Sequence, residues 1–183
     1  GALMKSGNDA AAVLALFAAG NMSDAVALMN KEAKSLGATE SNFVNPHGLY
    51  NDNHYTTAYD LYLIFNEAIK YSKFVDTLSC MKYTGSFTRK TAYGDYSIGC
   101  SYTNSNGFLT GSYATPDGIK VYGGKAGYTE VARRSYVMLA ESNNGHKYII
   151  ITMRAESNSL MYKALSALLN KIPVEKKSYA DNE

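Results

Sequence analysis

The sequence is poor in several residue types, and each shortage limits what the protein can be. It contains no tryptophan, three prolines and two cysteines among 183 residues. Cys80 and Cys100 can form at most one disulfide, and two free, buried thiols are the favoured alternative. Their spacing fits no zinc motif, because such a site needs further Cys or His ligands close by. The sequence therefore predicts neither a metal site nor a cofactor.

Strong charge of one sign and long apolar runs are also lacking. Eighteen Lys and Arg residues against sixteen Asp and Glu residues give a net charge of +2, and the only basic cluster is 171–177. This balance argues against a nucleic-acid partner. No run approaches the ~18 apolar residues of a transmembrane helix, and no charged-then-apolar leader is present at the start. Because residues 1–4 resemble the inside of a helix, we expect a piece of a longer protein.

The first 80 residues are predicted to be helical around one long loop. Asn8 or Asp9 is expected to cap a helix over 10–17 that ends at Gly20, and a second helix is expected over 23–36. Residues 38–56 are rich in Asn, Gly and Asp and predict an ordered loop. Thr57 and Asp60 resemble a capping box that opens the next helix, and a short helix is expected over 72–78.

From residue 82 onward, the pattern changes to that of strands. Strands are predicted over 82–88, 91–98, 101–104 and 119–124, and a hairpin is predicted between 133–141 and 147–154 with an Asn-Gly turn. The run Tyr148-Ile149-Ile150-Ile151 is apolar on both faces. We therefore expect helices on both faces of the sheet, one of them over 157–170. The length fits a single domain, with 1–172 as the domain and 173–183 as a tail or the start of a linker.

Three separate segments carry the candidate chemistry. Ser6-Gly7-Asn8 is a Ser-x-Asn element, and Lys125-Ala126-Gly127 is a Lys-x-Gly element after a predicted strand. Between them lies a loop with Asn45-Pro46-His47-Gly48-Leu49 and Tyr55-Thr56-Thr57-Ala58-Tyr59-Asp60-Leu61. Each short element is weak alone, since a second Ser-x-Asn begins at Ser142 in a predicted turn. Their combination and order are far more specific.

In this combination the chain resembles the serine-type D-alanyl-D-alanine carboxypeptidases, the low-molecular-mass penicillin-binding proteins. That family uses a Ser-x-x-Lys nucleophile, a Ser-x-Asn element and a Lys-Thr-Gly strand, and the loop is similar to this branch rather than to the β-lactamases. The resemblance runs from Gly1 to about Leu169. It implies an α+β fold of the β-lactamase and transpeptidase type, with an antiparallel sheet between helical layers, here lacking its N-terminal part.

The resemblance also implies roles for individual residues. Ser6 would relay a proton near the leaving group, Asn8 would bind the substrate amide, and Lys125 would hold the proton network and the substrate carboxylate. Residues that would bind substrate are Ala126, Gly127, Tyr128 and Thr129 along the strand, with His47 lining the cleft. A histidine that only orders its loop is an equally good interpretation of His47.

Two departures from the family pattern bear on function. Ala126 replaces the usual Thr, which removes a hydroxyl that would bond the substrate carboxylate. No Ser-x-x-Lys precedes Ser6. The one such match, from Ser79 to Lys82, is no more than chance predicts and lies on the wrong side of the Ser-x-Asn. We therefore expect this chain alone to be inactive and to form no stable penicillin adduct.

The implied parent enzyme is a hydrolase that acts outside the cytoplasmic membrane. Its partner would be a peptidoglycan stem peptide ending in D-Ala-D-Ala, and β-lactams would inhibit the complete enzyme. A chain without its upstream part is also expected to self-associate through exposed sheet edge and apolar surface. Two alternatives stay open: a non-catalytic cell-wall-binding relative, which would explain Ala126, and a β-lactamase-like hydrolase.

Overall fold

The computed structural model describes residues 1–175, which form six helices and five strands. The helices are α1 (Ala2–Lys5), α2 (Asn8–Ala19), α3 (Met22–Ser35), α4 (Ala58–Ala68), α5 (Ser72–Ser79) and α6 (Asn158–Leu169). Within this range no single helix is long and apolar enough to cross a membrane, and only α2 and α3 together, bent by 84°, meet that criterion. The predicted tail beyond residue 175 lies outside the described residues.

The strands form two separate antiparallel sheets. β1 (Lys82–Thr91) pairs with β2 (Gly94–Thr103), while β3 (Ile119–Thr129), β4 (Arg133–Ser142) and β5 (Lys147–Ala155) form a three-stranded sheet in that order. The predicted hairpin of β4 and β5 is confirmed. Of the three short strands predicted over 82–104, the first lies within β1. The division of the remainder into two strands is wrong, because residues 94–103 form the single strand β2.

Helices pack against both faces of the three-stranded sheet, as predicted. On one face Met138, Ala140 and Ile150 contact the buried side of α6, including Leu165. On the other face Leu139 contacts Phe65 of α4 and Leu78 of α5. Neighbouring residues of β4 thus point to opposite layers, as the two-residue period of a strand requires. The expected layered α+β architecture is confirmed.

The long loop of residues 38–57 is held against the helices by polar side chains. The side chain of Asn30 in α3 makes two hydrogen bonds to the backbone of Phe43. It donates to the carbonyl (2.7 Å) and accepts from the N–H (2.8 Å). The buried carboxylate of Asp60 accepts from Ser41 Oγ (2.6 Å) and from the backbone N–H of Glu40 (2.9 Å). The loop is therefore ordered without regular secondary structure, because its polar groups find partners in α3 and α4.

The predicted caps of α4 and α2 have different outcomes. The backbone N–H of Asp60 donates to Thr57 Oγ1 (3.1 Å), so the predicted cap of α4 is confirmed. The predicted cap of α2 is wrong, because Gly7 is the N-cap and offers no side chain. Asn8 is instead the first residue of α2, and Asp9 Oδ1 accepts only from the next residue's N–H. The helix starts without a side-chain cap because glycine has no side-chain acceptor for the first backbone N–H groups.

Other sequence expectations differ in detail. β3 continues to Thr129 rather than ending at Gly124, so Lys125 lies inside the strand and not at its end. Both cysteines are free, as favoured, but they are half-buried rather than fully buried. The first residues of the predicted tail are ordered, since Asn143 in the β4–β5 turn exchanges two hydrogen bonds with the backbone of Glu175 (2.8 and 2.9 Å).

Candidate active site

Ser6 lies at the joint between α1 and α2. Its backbone has φ 54° and ψ 37°, the left-handed region that non-glycine residues rarely adopt. Such a conformation costs on the order of 1–3 kcal/mol, and residues of this kind are often found at functional sites. The exposed hydroxyl of Ser6 lies within hydrogen-bonding distance of β3.

Lys125 of β3 contacts Ser6, although the two residues lie far apart in the sequence. Its Nζ donates to Ser6 Oγ (2.7 Å) and to the carbonyl of Ala126. The lysine is half-buried, and burial lowers the pKa of its ammonium group below the ordinary value, because the charged form loses hydration. The pair joins residues 119 positions apart. A lysine with a lowered pKa beside a hydroxyl is suited to moving protons.

Two glycines allow β3 to lie where this contact is possible. A β-bulge falls between Val121 and Gly123, and Gly123 has φ 121°. A Cβ at Gly123 would collide with the carbonyl of Leu78 at the end of α5. A Cβ at Gly124 would lie 2.9 Å from Met138 Cα. Glycine is therefore required at both positions, because the backbone of α5 approaches Gly123 and the backbone of β4 approaches Gly124.

Two cavities flank the Ser6–Lys125 contact along the outer edge of β3, which pairs with no strand within residues 1–175. The first, about 270 Å³, is lined by Ser6, Ala126, Gly127, Tyr128, Arg134, Asn158 and Met161. The second, about 170 Å³, includes Ser6, Lys125, Ala126 and Tyr136. An unpaired strand edge beside a cleft can bind an extended peptide as an added strand.

Most of the predicted site residues meet at this cleft. Ser6, Lys125, Ala126, Gly127 and Tyr128 line one or both cavities. These five residues come from two segments that the sequence separates by more than a hundred positions. The prediction that the Ser-x-Asn and Lys-x-Gly segments belong together thus agrees with their placement.

Three predicted site residues lie apart from these two cavities. Asn8 is exposed on the first turn of α2 and lines neither of them. Thr129 Oγ1 accepts from the N–H of Ala132 (3.0 Å) and shapes the turn between β3 and β4. His47 stays in its loop, where Nδ1 accepts from the N–H of Leu49 (3.3 Å). The roles assigned to these residues remain predictions.

Ser79, in the chain's one Ser-x-x-Lys, has no base beside it. Its hydroxyl donates to the carbonyl of Val75 (3.0 Å), one turn back in α5. Lys82 begins β1, so the two side chains do not share a helix face as a serine nucleophile and its lysine base would. Within residues 1–175, no group of three or more His, Cys, Asp or Glu side chains could hold a metal ion.

A buried polar group supports the floor of the cleft. Asn106 is 1% exposed, and its amide donates to the hydroxyl of Tyr136 (2.8 Å). Burial raises the pKa of the Tyr136 phenol, so this group stays protonated. Tyr136 is paired with Ala126 across β3 and β4. The hydrogen bond between Asn106 and Tyr136 holds β4 in place beside the cleft, because it gives both buried side chains a partner.

Sequence reasoning missed Arg134, which lines the larger cavity. Its guanidinium lies over the ring of Tyr128, 4.6 Å from the ring centroid. Tyr128 and Arg134 are direct partners across the β3–β4 ladder. The signal in the sequence is the short segment 129–132. A hairpin turn at this segment places Arg134 opposite Tyr128.

The chain is similar to known proteins in sequence and in structure. Residues 1–157 match the family described as D-alanyl-D-alanine carboxypeptidase, Peptidase_S11. The D-alanyl-D-alanine carboxypeptidase DacF of Bacillus subtilis (strain 168) is 34% identical over 149 residues, covering 80% of this chain and 34% of that protein.

Solved structures show the same relationship. Penicillin-binding protein 5 from Haemophilus influenzae superposes with a TM-score of 0.75 at 28% identity, covering 93% of this chain and 45% of that one. The Streptomyces K15 DD-transpeptidase gives a TM-score of 0.78 at 25% identity, covering 93% and 64%. The chain spans about a third of the length of the curated relatives. By sequence and by fold, it belongs to the Peptidase_S11 family of D-alanyl-D-alanine carboxypeptidases.

Proposed function

We propose that this chain forms the Ser-x-Asn and Lys-x-Gly side of a serine-type D-Ala-D-Ala carboxypeptidase site. The observation that carries the proposal is the hydrogen bond from Lys125 Nζ to Ser6 Oγ beside the free edge of β3. A peptidoglycan stem peptide would lie along residues 126–128 as an added antiparallel strand. The enzyme would act outside the cytoplasmic membrane, where its substrate is found.

In the complete enzyme, a serine outside this set of residues would supply the nucleophile. Its Oγ would form a bond to the carbonyl carbon of the D-Ala-D-Ala peptide, and the C–N bond would break. The Ser6 hydroxyl, in contact with Lys125, would pass a proton to the departing amine of the terminal D-alanine. Water would then hydrolyse the acyl-enzyme. β-Lactams would inhibit that enzyme by acylating the same serine.

The proposal can be tested on the 183-residue chain by the stereochemistry of binding. We expect acyl-D-Ala-D-Ala to bind more tightly than acyl-L-Ala-L-Ala in a titration followed by nuclear magnetic resonance. When the peptide backbone pairs with β3, the two stereoisomers place their methyl groups on opposite sides of that backbone. Lys125→Met should weaken binding of the D-peptide, whereas the exposed Lys31→Met on α3 should not. Equal affinity for the two peptides would contradict the proposal.

Fluorescent penicillin tests whether the chain alone is active. We expect no labelled band on a denaturing gel, because Ser79 bonds to its own helix and has no neighbouring base. A band that disappears in Ser79→Ala would reverse this expectation. A second candidate, a non-catalytic peptidoglycan-binding relative, is favoured by Ala126 and predicts the same stereoselective binding with no labelling even in the full-length parent.

Self-association is part of the proposal and is supported by exposed apolar side chains on α2. Val13, Leu14 and Phe17 are 63%, 60% and 91% exposed. Next to them, an apolar groove of about 620 Å³ runs between α2, α3 and the loop near Phe43. Surface of this kind favours association in water. A monodisperse monomer in light scattering would argue against it.

A further inference from the structure

The three-stranded sheet has a second unpaired edge, on the outer side of β5. Within residues 1–175 β5 pairs only with β4, so the backbone N–H and C=O groups that point outward from β5 have no strand partner. The active site proposed above uses the opposite edge of the sheet, which belongs to β3. An unpaired strand edge is a template for another chain, and natural proteins usually protect such edges with charges, prolines or bulges.

The middle of β5 carries none of these protections. Between Lys147 and Arg154 the residues are Tyr148-Ile149-Ile150-Ile151-Thr152-Met153, without charge or proline. Their register with β4 is continuous from Lys147 to Thr152. The irregularity comes at the end of the strand, where the register shifts and Arg154 has φ 59°. A regular, uncharged stretch therefore runs from Tyr148 to Thr152.

The edge of β3 differs in each of these respects. It contains the charged Lys120 and Lys125, several glycines, and a bulge between Val121 and Gly123. Charges and bulges on an edge strand oppose its pairing with the strand of another folded sheet. The two edges are therefore not equivalent, and β5 is the one suited to extend the sheet.

Apolar side chains beside the β5 edge are also left uncovered. A groove of about 380 Å³ runs between residues 148–151 and the end of α6, where Leu168 and Ile172 line it, and Lys171 is its one charged lining residue within 1–175. On the same strand, the buried Oγ1 of Thr152 has no hydrogen-bond partner among the described residues. Burying an unpaired hydroxyl costs free energy, so such groups are rare in folded proteins. Both observations indicate that a further chain covers this edge.

We propose that a second copy of this chain covers the edge, through antiparallel pairing of β5 with β5 of the partner subunit in a twofold symmetric dimer. In such a dimer the same surface of both subunits forms the interface, and each residue pair occurs twice. Neighbouring residues of a strand face opposite layers, so a symmetric pair of strands must keep matching faces together. This condition allows only registers that are centred on a single residue.

The register centred on Ile150 matches the uncharged stretch to itself. It places Ile150 opposite Ile150 of the partner subunit, Ile149 opposite Ile151, and Tyr148 opposite Thr152. Both charged ends of β5 then lie outside the paired stretch. Pairs of aliphatic and aromatic side chains directly opposite each other are the contacts that stabilise antiparallel strands.

The neighbouring registers lack this match. A centre at Ile149 would place the ammonium of Lys147 opposite the apolar Ile151. A centre at Ile151 would extend the pairing to Arg154, where β5 has left the extended conformation. The central position at Ile150 therefore follows from the residues of β5 and from the place where its regular part ends.

This dimer would leave the proposed active site open. The strands of the combined sheet would follow the order β3-β4-β5-β5-β4-β3, with Ser6 and Lys125 beside each outer edge. The inference specifies the self-association proposed above, and it does not depend on which peptide binds along β3.

The first test reads the register by cysteine cross-linking. Cys80 and Cys100 are changed to Ser, and a cysteine then replaces Ile149, Ile150 or Ile151 in turn. Directly opposite residues of antiparallel strands have Cα atoms about 4.5–5.5 Å apart, which a disulfide can span, whereas diagonal neighbours at about 7–8 Å are too distant. With oxidised glutathione, we expect Ile150→Cys to give a disulfide-linked dimer on a non-reducing gel, and the other two variants to remain single chains.

The second test measures the strength of association by light scattering. We expect wild type to have the mass of two chains at micromolar concentration. Ile151→Lys should raise the dissociation constant of the dimer at least about a hundredfold, because a charge would be buried against the apolar partner strand. Val13→Lys is the matched control on α2, where the side chain is 63% exposed, and it should leave the dimer intact. Circular dichroism confirms the fold of each variant.

The possible outcomes separate this inference from the proposals above. If wild type is monomeric and Ile150→Cys stays reduced, no second copy covers the edge, and the proposed self-association fails as well. If Val13→Lys disperses the chain and Ile151→Lys does not, α2 mediates association and only the assignment of β5 is wrong. Cross-linking at Ile149 or Ile151 instead of Ile150 would overturn the register. The preference for D- over L-peptides tests the carboxypeptidase proposal separately, and Ile151→Lys should retain it.

Discussion

Replacing Gly124 by alanine is the most direct test of how β3 is held in place. A Cβ at this position would lie 2.5 Å from Tyr136 Cε1 and 2.9 Å from Met138 Cα, and closer still to the carbonyl oxygen of Val137. Two of these three atoms belong to the backbone of β4, the central strand of the sheet. They cannot move without separating the strands.

The magnitude follows from the cost of overpacking. Extra atoms in a packed interior destabilise by about 1–3 kcal/mol, and more where the backbone must shift. Because the contacts here are with backbone, we expect Gly124→Ala to lower the free energy of unfolding by about 3 kcal/mol. That is a large part of the roughly 5–15 kcal/mol typical of a whole domain.

Gly99 of β2 provides the matched control. It is also a strand glycine, but a Cβ there would meet no atom within 4 Å. Alanine at this position should leave stability unchanged or raise it by about 0.4–1 kcal/mol, through the lower entropy of the unfolded chain. Urea unfolding followed by circular dichroism measures both variants. If the two differ by less than about 1 kcal/mol, the close approach of β3 and β4 is not what requires Gly124.

Two further predictions concern one buried and one half-buried ionisable group. Asp60→Ala should destabilise by about 2–5 kcal/mol in urea unfolding, because the donors on Ser41 and Glu40 would lose their buried acceptor; the exposed Asp76→Ala should change stability little. Burial lowers the pKa of Lys125 in the folded protein below the ordinary value of 10.5. Between these two pKa values the unfolded chain binds more protons than the folded chain, so the free energy of unfolding should rise with pH across that window. Lys125→Met should remove this component of the rise.

The outcomes that would contradict these predictions are equally specific. An Asp60→Ala variant as stable as Asp76→Ala would show that the long loop does not depend on the buried carboxylate. For Lys125, the informative quantity is the difference between the pH curves of wild type and variant, since other groups titrate in the same range. Parallel curves as the pH approaches the ordinary lysine value of 10.5 from below would show that burial does not disfavour the charged lysine.

Local patterns were sufficient for much of the fold. The cap at Thr57, the Asn-Gly turn after β4 and the two-sided apolar run of β5 each depend on residues close in sequence. Their prediction succeeded because a cap or a hairpin turn is determined by a few neighbouring side chains. The hairpin of β1 and β2 was divided wrongly because its serines, threonines and glycines resemble turns, whereas pairing along ten residues keeps the chain extended.

The same distinction applies to the site. The sequence identified the Ser-x-Asn and Lys-x-Gly segments by their combination, and it marked Ala126 as a departure from the family. The structure shows that the neighbouring Gly123 and Gly124 accommodate Leu78 and β4. The sequence did not identify Arg134, whose position depends on a pairing partner across the ladder.

By itself, the sequence determined the family, the layered α+β class and the two segments that carry the chemistry, because these depend on residue types in a fixed order. Only the tertiary structure decided that Ser6 Oγ lies 2.7 Å from Lys125 Nζ, and that Arg134 shares their cavity while Arg133 pairs with Glu156. Such contacts join residues distant in the chain, and their geometry arises from sheet register and helix packing rather than from local preference.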